Sequence, residues 1–165
     1  MTENGIYFAK SEYYQLIRSL GGQWNDKKER PIVCLIKSKE HPDLYWAIPM
    51  GDWAHRDEAA QARIMGYINS DKRDIRSCYY HVGSTNKKSI FFISDAIPIT
   101  DKYIDRAYMG YDQQIYVIQN PNLLAELQRK LFRILKVEST KPDGYRQHIT
   151  SLKQYLLHEL EHTVD

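Results

Sequence analysis

Two cysteines are all the chain has, Cys34 and Cys78, each inside an apolar, strand-like run. A disulfide framework is therefore excluded, and two buried, reduced thiols are expected. No apolar run approaches the roughly 18 residues that a membrane span needs. The opening Met1-Thr2-Glu3-Asn4-Gly5 lacks the basic-then-apolar order of a signal peptide, so the expected location is cytoplasmic. Charge of one sign is also missing: 23 Lys and Arg against 21 Asp and Glu leave +2, too mild to announce nucleic acid, so any basic patch must be local. There is no glycine-rich phosphate loop, no serine in a nucleophile elbow and no zinc-finger spacing. Large classes of enzyme fall away.

What is present is enough to fold. The 165 residues suit a single domain over 1–165, and 42% apolar residues can fill its core. Thirteen tyrosines against four phenylalanines favour flat rings with polar edges, which suit strands and wet surfaces and also stack on unpaired bases.

Apolar spacing predicts the elements. Ile6–Ala9 reads as a strand. Ser11 caps a brief helix through Leu20 that Gly21-Gly22 stops, and a polar loop from Gln23 to Glu29 carries Lys27 and Lys28 just before Arg30. Ile32–Ile36 and Leu44–Ile48 form one predicted hairpin, and Cys78–Val82 with Ser89–Ile93 a second. Between them Arg56–Ser70 reads as a helix with Asp57 and Glu58 in its first turn. Asp101–Arg106 reads as one irregular turn, and Gln114–Ile118 as a last strand.

Asn120-Pro121 then opens a leucine-rich helix over about 120–138. Its Arg129, Lys130, Arg133 and Lys136 read as dipole partners or a solvated face. A final helix follows over about 145–162. The β-rich core thus spans about 5–118, and the fold class is α+β, with a small, bent, antiparallel sheet and inserted and C-terminal helices.

His158-Glu159-Leu160-Glu161-His162 matches the zinc-protease pattern H-E-x-x-H. Such sites need a third ligand further along, and only Thr163, Val164 and Asp165 follow, so a solvated helix end is expected and no metal.

Ionisable residues gather instead at strand ends between Arg30 and Arg56. They suit RNA transesterification, in which the substrate's own 2′-hydroxyl is the nucleophile and the enzyme supplies a base, an acid and cations. That reaction requires no metal or other cofactor. His55 can serve as acid or base near neutral pH. Asp52 can orient it or take the proton, Arg30 and Arg56 can hold the phosphate through paired N–H donors, and Trp53 can stack a base. A capped helix start with surface charge around it would look the same.

The order Arg30-Pro31-Ile32-Val33, Tyr45-Trp46-Ala47-Ile48-Pro49 and Ile93-Ser94-Asp95-Ala96-Ile97-Pro98-Ile99 resembles the ToxN/AbiQ/CptN toxins of type III toxin–antitoxin systems. Thr100-Asp101-Lys102-Tyr103-Ile104 and the helix after Asn120 are closest to the CptN branch, and the likeness covers about residues 5–137. The resemblance implies a barrel-like core of the MazF/Kid/PemK kind and a metal-independent endoribonuclease leaving 2′,3′-cyclic phosphate. It also implies neutralisation by a small, repeated RNA pseudoknot within a symmetric protein–RNA assembly. It matches Tyr13 to an early tyrosine of the family and Arg30 to the basic residue before the second strand. Lys27, Lys28, Lys87 and Lys88 are consistent with RNA-binding grooves.

One departure stands out. Where the family usually has a short residue and then Thr-Ser or Ser-Ser after the proline, this chain reads Pro49-Met50-Gly51-Asp52. Three readings stay open. Catalysis has moved to Asp52, His55 and Arg56, with Gly51 letting the backbone approach the phosphate; or Ser84, Thr85 and Lys87 supply it; or the protein binds RNA without cutting it, or cuts a different substrate. A non-catalytic RNA- or protein-binding module on the same fold is the alternative function. A MazF-type toxin neutralised by a protein is a further alternative.

Overall fold

The computed structural model describes residues 1–162; Thr163, Val164 and Asp165, the tail that figured in the zinc argument, lie outside it. Seven strands form one bent antiparallel sheet: β1 (Gly5–Ala9), β2 (Ile32–Lys37), β3 (Tyr45–Asp52), β4 (Tyr80–Ser84), β5 (Lys88–Phe92), β6 (Ile97–Ile99) and β7 (Ile104–Ala107). Their order is β4-β5-β3-β2-β1-β7, with β6 also on β3. Four helices accompany them: α1 (Ser11–Ser19), α2 (Glu58–Ile68), α3 (Pro121–Thr140) and α4 (Ile149–His162). The expected α+β class and both hairpins are present.

The bend originates in β3. Its first residues pair with β6 on one edge (Tyr45 opposite Ile99, Ala47 opposite Ile97), whereas Met50, Gly51 and Asp52 pair with Phe91, Ile90 and Ser89 of β5. Pro49, which has no N–H to give a ladder, sits where one partner ends and the other begins. The strand therefore runs beyond the apolar stretch that marks it in sequence and carries Asp52 to its end, still paired with Ser89 of β5.

Both faces of the sheet are covered, which is why β2 reads as a continuous apolar run. Val33, Leu35, Trp46 and Ile48 join Leu127, Leu131 and Ile134 of α3. Ile32, Cys34, Tyr45 and Ala47 join Tyr13 and Ile17 of α1 and Leu152 and Leu156 of α4. Ile90 and Phe92 pack with Ile64 of α2 in a third, smaller cluster. Asn120 caps α3 by accepting the Asn122 and Leu123 N–H groups at 3.0 and 3.3 Å, with Pro121 opening the helix. Gly21 ends α1 at φ +87°, a conformation that favours glycine.

Several expectations need correction. Gln114–Ile118 is not a strand; it makes only isolated bridges, Gly5 to Val117 and Met109 to Ile115. Asp101–Arg106 is a 3-10 turn followed by β7, because Phe8 and Ala9 offer their free edge to Arg106 and Ile104. Cys78 lies in a 3-10 turn before β4, buried and free like Cys34. Lys10, and not Ser11, occupies the cap position of α1, and no side chain caps it. Lys130 is no solvated residue: it is 4% exposed, and its ammonium donates to the Tyr80 carbonyl at 2.9 Å. Glu159, from the zinc-like pattern, accepts from the Tyr103 hydroxyl at 3.0 Å and Lys102 at 2.9 Å, tying α4 to the turn before β7. No described helix is long and apolar enough to cross a membrane.

Candidate active site

The end of β3, the β4–β5 turn and the segment before β2 enclose a cavity of about 270 Å³. Asp52 closes β3 and caps the following 3-10 turn, its Oδ1 accepting from the Ala54 N–H at 2.9 Å. Its Oδ2 faces Lys87 Nζ at 3.2 Å and His55 Nε2 at 3.6 Å. The Ala54 N–H, then Lys87 and His55, hold the carboxyl below the usual carboxylate range against the opposing effect of burial. A carboxylate so held stays ionised, which suits it to positioning Lys87 and His55 and not to taking a proton. His55 stands at the rim, its side chain 81% exposed.

Arg30 and Arg56 form the cationic wall. Their guanidinium carbons lie 4.7 and 5.0 Å from the centre of the Phe92 ring. Neither meets a carboxylate within ion-pair distance among the described residues, and Arg56 Nε is buried without a hydrogen-bond partner. Burial, then the neighbouring Arg56, pushes the Arg30 pKa down. Gly51 makes this packing possible, since a Cβ there would lie 3.2 Å from an Arg56 terminal nitrogen and 3.3 Å from the Phe92 ring.

Not every residue singled out in the sequence reaches this cavity. Lys28, Arg30, Gly51, Asp52, His55, Arg56 and Lys87 line it. Tyr13 does not: it is fully buried and its hydroxyl donates to the Pro98 carbonyl, so its assignment to RNA is corrected to a core role. Trp53 is corrected likewise. It is buried with Ile64, Ile90 and Phe92, and Lys88 stands 5.9 Å from its ring, so no base can stack there. Lys27 is exposed and outside the lining.

The two proposed locations for the chemistry converge. Thr85 and Lys87 line the same cavity as Asp52, His55 and Arg56, while Ser84 faces the neighbouring loop at 110–120. Ser89, opposite Asp52 in the ladder, holds its hydroxyl 3.1 Å from that of Thr85. Thus two hydroxyls border a site whose own strand offers Met50 and Gly51. Ser89 and Tyr108 escaped the sequence reading; the hairpin register would have exposed Ser89, but nothing local marks Tyr108.

A bent antiparallel sheet covered by helices on both faces, with a cationic cavity at the end of its central strand, defines the class of fold. No protein-family model and no curated protein matches the sequence. Among solved structures the chain is similar to AbiQ, a lactococcal anti-phage endoribonuclease of a type III toxin–antitoxin system, with 13% identity and a TM-score of 0.65. The superposition covers 97% of this chain and 99% of that one, so the shared fold runs end to end.

Proposed function

We propose that the chain is a metal-independent endoribonuclease toxin that cleaves RNA by 2′-hydroxyl transesterification. The observation that carries this reading is the convergence of Arg30, Arg56, Lys87 and His55 on one cavity whose arginines lack carboxylate partners. The fold shared with AbiQ supports it. In this reading the 2′-oxygen attacks phosphorus, and the bond from phosphorus to the 5′-oxygen breaks. His55 accepts the 2′-hydroxyl proton and, as imidazolium, returns it to the leaving 5′-oxygen, so one imidazole closes the proton balance. Arg30 and Arg56 take the charge that develops on the phosphorane, and water-excluding Phe92 keeps them fixed. Asp52 holds Lys87 and His55 in place.

The partner in this reading is RNA twice over, as substrate and as a small, repeated pseudoknot antitoxin in a symmetric assembly, as the resemblance to the type III toxins implies. The sequence Met50-Gly51 favours a second reading, an RNA-binding module without cleavage. Incubation with pooled RNAs in chelator decides between them. Discrete fragments ending in 2′,3′-cyclic phosphate, lost in His55→Ala, support the nuclease; RNA that shifts on a gel but stays intact supports the binder.

A further inference from the structure

Behind the arginine pair lies a second cavity, of about 230 Å³, and Lys28, Arg30 and Arg56 line it as well as the first. Its far wall is aromatic and polar: Trp24, Asn25 and Tyr80, with Arg146 and Asp95 beside them. Asp95 is engaged by Arg146, whose guanidinium donates to its two oxygens at 3.1 and 2.8 Å. Asp95 attracts Arg30 from a distance, but neither shared arginine forms an ion pair among the described residues.

Trp24 is held in place more firmly than a residue of a polar loop needs to be. Its ring stacks on Tyr14, centroids 5.5 Å apart and planes 12° from parallel. Arg18 donates to its carbonyl at 3.0 Å, and the preceding Gln23 N–H donates to the Arg146 carbonyl at 2.6 Å. Yet the Trp24 side chain is only half-buried and faces the cavity. A pinned, partly open indole beside two unpaired guanidiniums is the chemistry that holds a base and its phosphate.

We propose that this second cavity is a nucleoside subsite, in which Trp24 stacks the base adjoining the phosphate that Arg30 and Arg56 hold, so that one strand of unpaired RNA passes from one cavity to the other across the arginine pair. The inference rests on the reading of the first cavity as an RNA site. It identifies Trp24 as a specificity-determining residue, with Asn25 and Asp95 offering hydrogen-bonding groups to the base edge. Duplex RNA is excluded from such a site, because a stacked, paired base presents no free face.

The test uses the intact protein and labelled hexanucleotides with 2′-fluoro sugars, which lack the attacking hydroxyl and stay whole. Binding is measured for pools fixed at one base per position. The native protein should show a base preference at one position. Trp24→Leu, which keeps an apolar side chain on Tyr14, should weaken binding roughly tenfold and flatten that preference, and Trp24→Phe should restore both. Crosslinking of 5-iodouridine in the same hexamers to the native protein should mark Trp24 or Tyr80.

Unchanged affinity and preference in Trp24→Leu, or crosslinks confined to other surfaces, would overturn the subsite. The ribonuclease reading fails separately. If natural RNA is bound with the Trp24-dependent preference but never cut, the subsite stands and the nuclease falls. If RNA is cut with a preference indifferent to Trp24, the nuclease stands and the subsite falls. Absence of any RNA binding removes both.

Discussion

On α3, Lys130 is buried and gives its ammonium to the Tyr80 carbonyl, Arg133 donates to the Lys72 and Arg73 carbonyls, and Arg129 pairs with Glu126 at 2.9 Å. Beside the end of β3, Arg30 and Arg56 are also packed against an apolar ring, that of Phe92, yet neither forms an ion pair among the described residues, and Arg56 Nε is buried with nothing to bond. The same residue types are thus handled in opposite ways. A buried cation whose donors are satisfied within the chain is part of the fold, and removing it strands its partners. A pair of cations held together without an ion-pair partner opposes folding slightly and keeps its donors for a ligand.

The sharpest way to break this contrast is to delete one cation from each cluster. Arg56→Ala should lower RNA cleavage at least about a hundredfold, the usual cost of losing a donor to a developing anion, while the melting temperature stays level or rises as Arg30 loses a like-charged neighbour. Retained cleavage would show that the cavity's cations are ordinary surface charge. Lys130→Ala should do the reverse. Loss of the buried side chain and its bond to Tyr80 should cost about 2 kcal/mol, roughly 6 °C in melting temperature, with cleavage per folded molecule unchanged.

The contrast was only half legible in the sequence. Arg30, Asp52, His55 and Arg56 announce themselves by clustering at strand ends, and the structure gathers all four around one cavity. Burial was not legible. Lys130 sits beside Arg129 and reads as part of a polar face, but α3 is turned so that position 130 meets β4, and helical spacing alone does not specify that turn. Tyr13 and Trp53 read as RNA contacts for the same reason: an aromatic ring with a polar edge looks alike in a core and in a binding groove until its neighbours are known. Strands β6 and β7 were hard to read because each is three or four residues long and is defined by the edge it joins, not by its own pattern.

An effect of similar size should separate the clusters by pH. His81, on β4 beside Lys130, is only partly exposed, and burial, followed by the Lys130 charge, lowers its pKa from 6.5 to about 4. The folded protein therefore binds this proton less readily than the unfolded chain does. His81 leaves stability intact above about pH 6.5 and withdraws it as the pH falls toward 4, by about 2 kcal/mol once partial solvent screening is discounted. Denaturant titrations of the native protein and of His81→Leu should diverge across that window. Coincident curves would mean that His81 is solvated and the α3 cluster less closed than its hydrogen bonds imply.

The smallest expected change falls at Gly51, where the fold and the site compete for the same space. A methyl group there meets an Arg56 terminal nitrogen at 3.2 Å, the Phe92 ring at 3.3 Å and Ile90 at 3.4 Å, distances that ask a neighbour to give by a few tenths of an ångström. Phe92 and Ile90 are buried and braced by α2, so the guanidinium is what moves. Gly51→Ala should accordingly leave the melting temperature almost unchanged and reduce the turnover of RNA up to about tenfold with little change in KM, because a displaced donor weakens the phosphorane more than the bound substrate. A loss of stability with normal turnover would mean that the sheet yields instead, and that Gly51 belongs with the cations of α3 as a residue kept for packing.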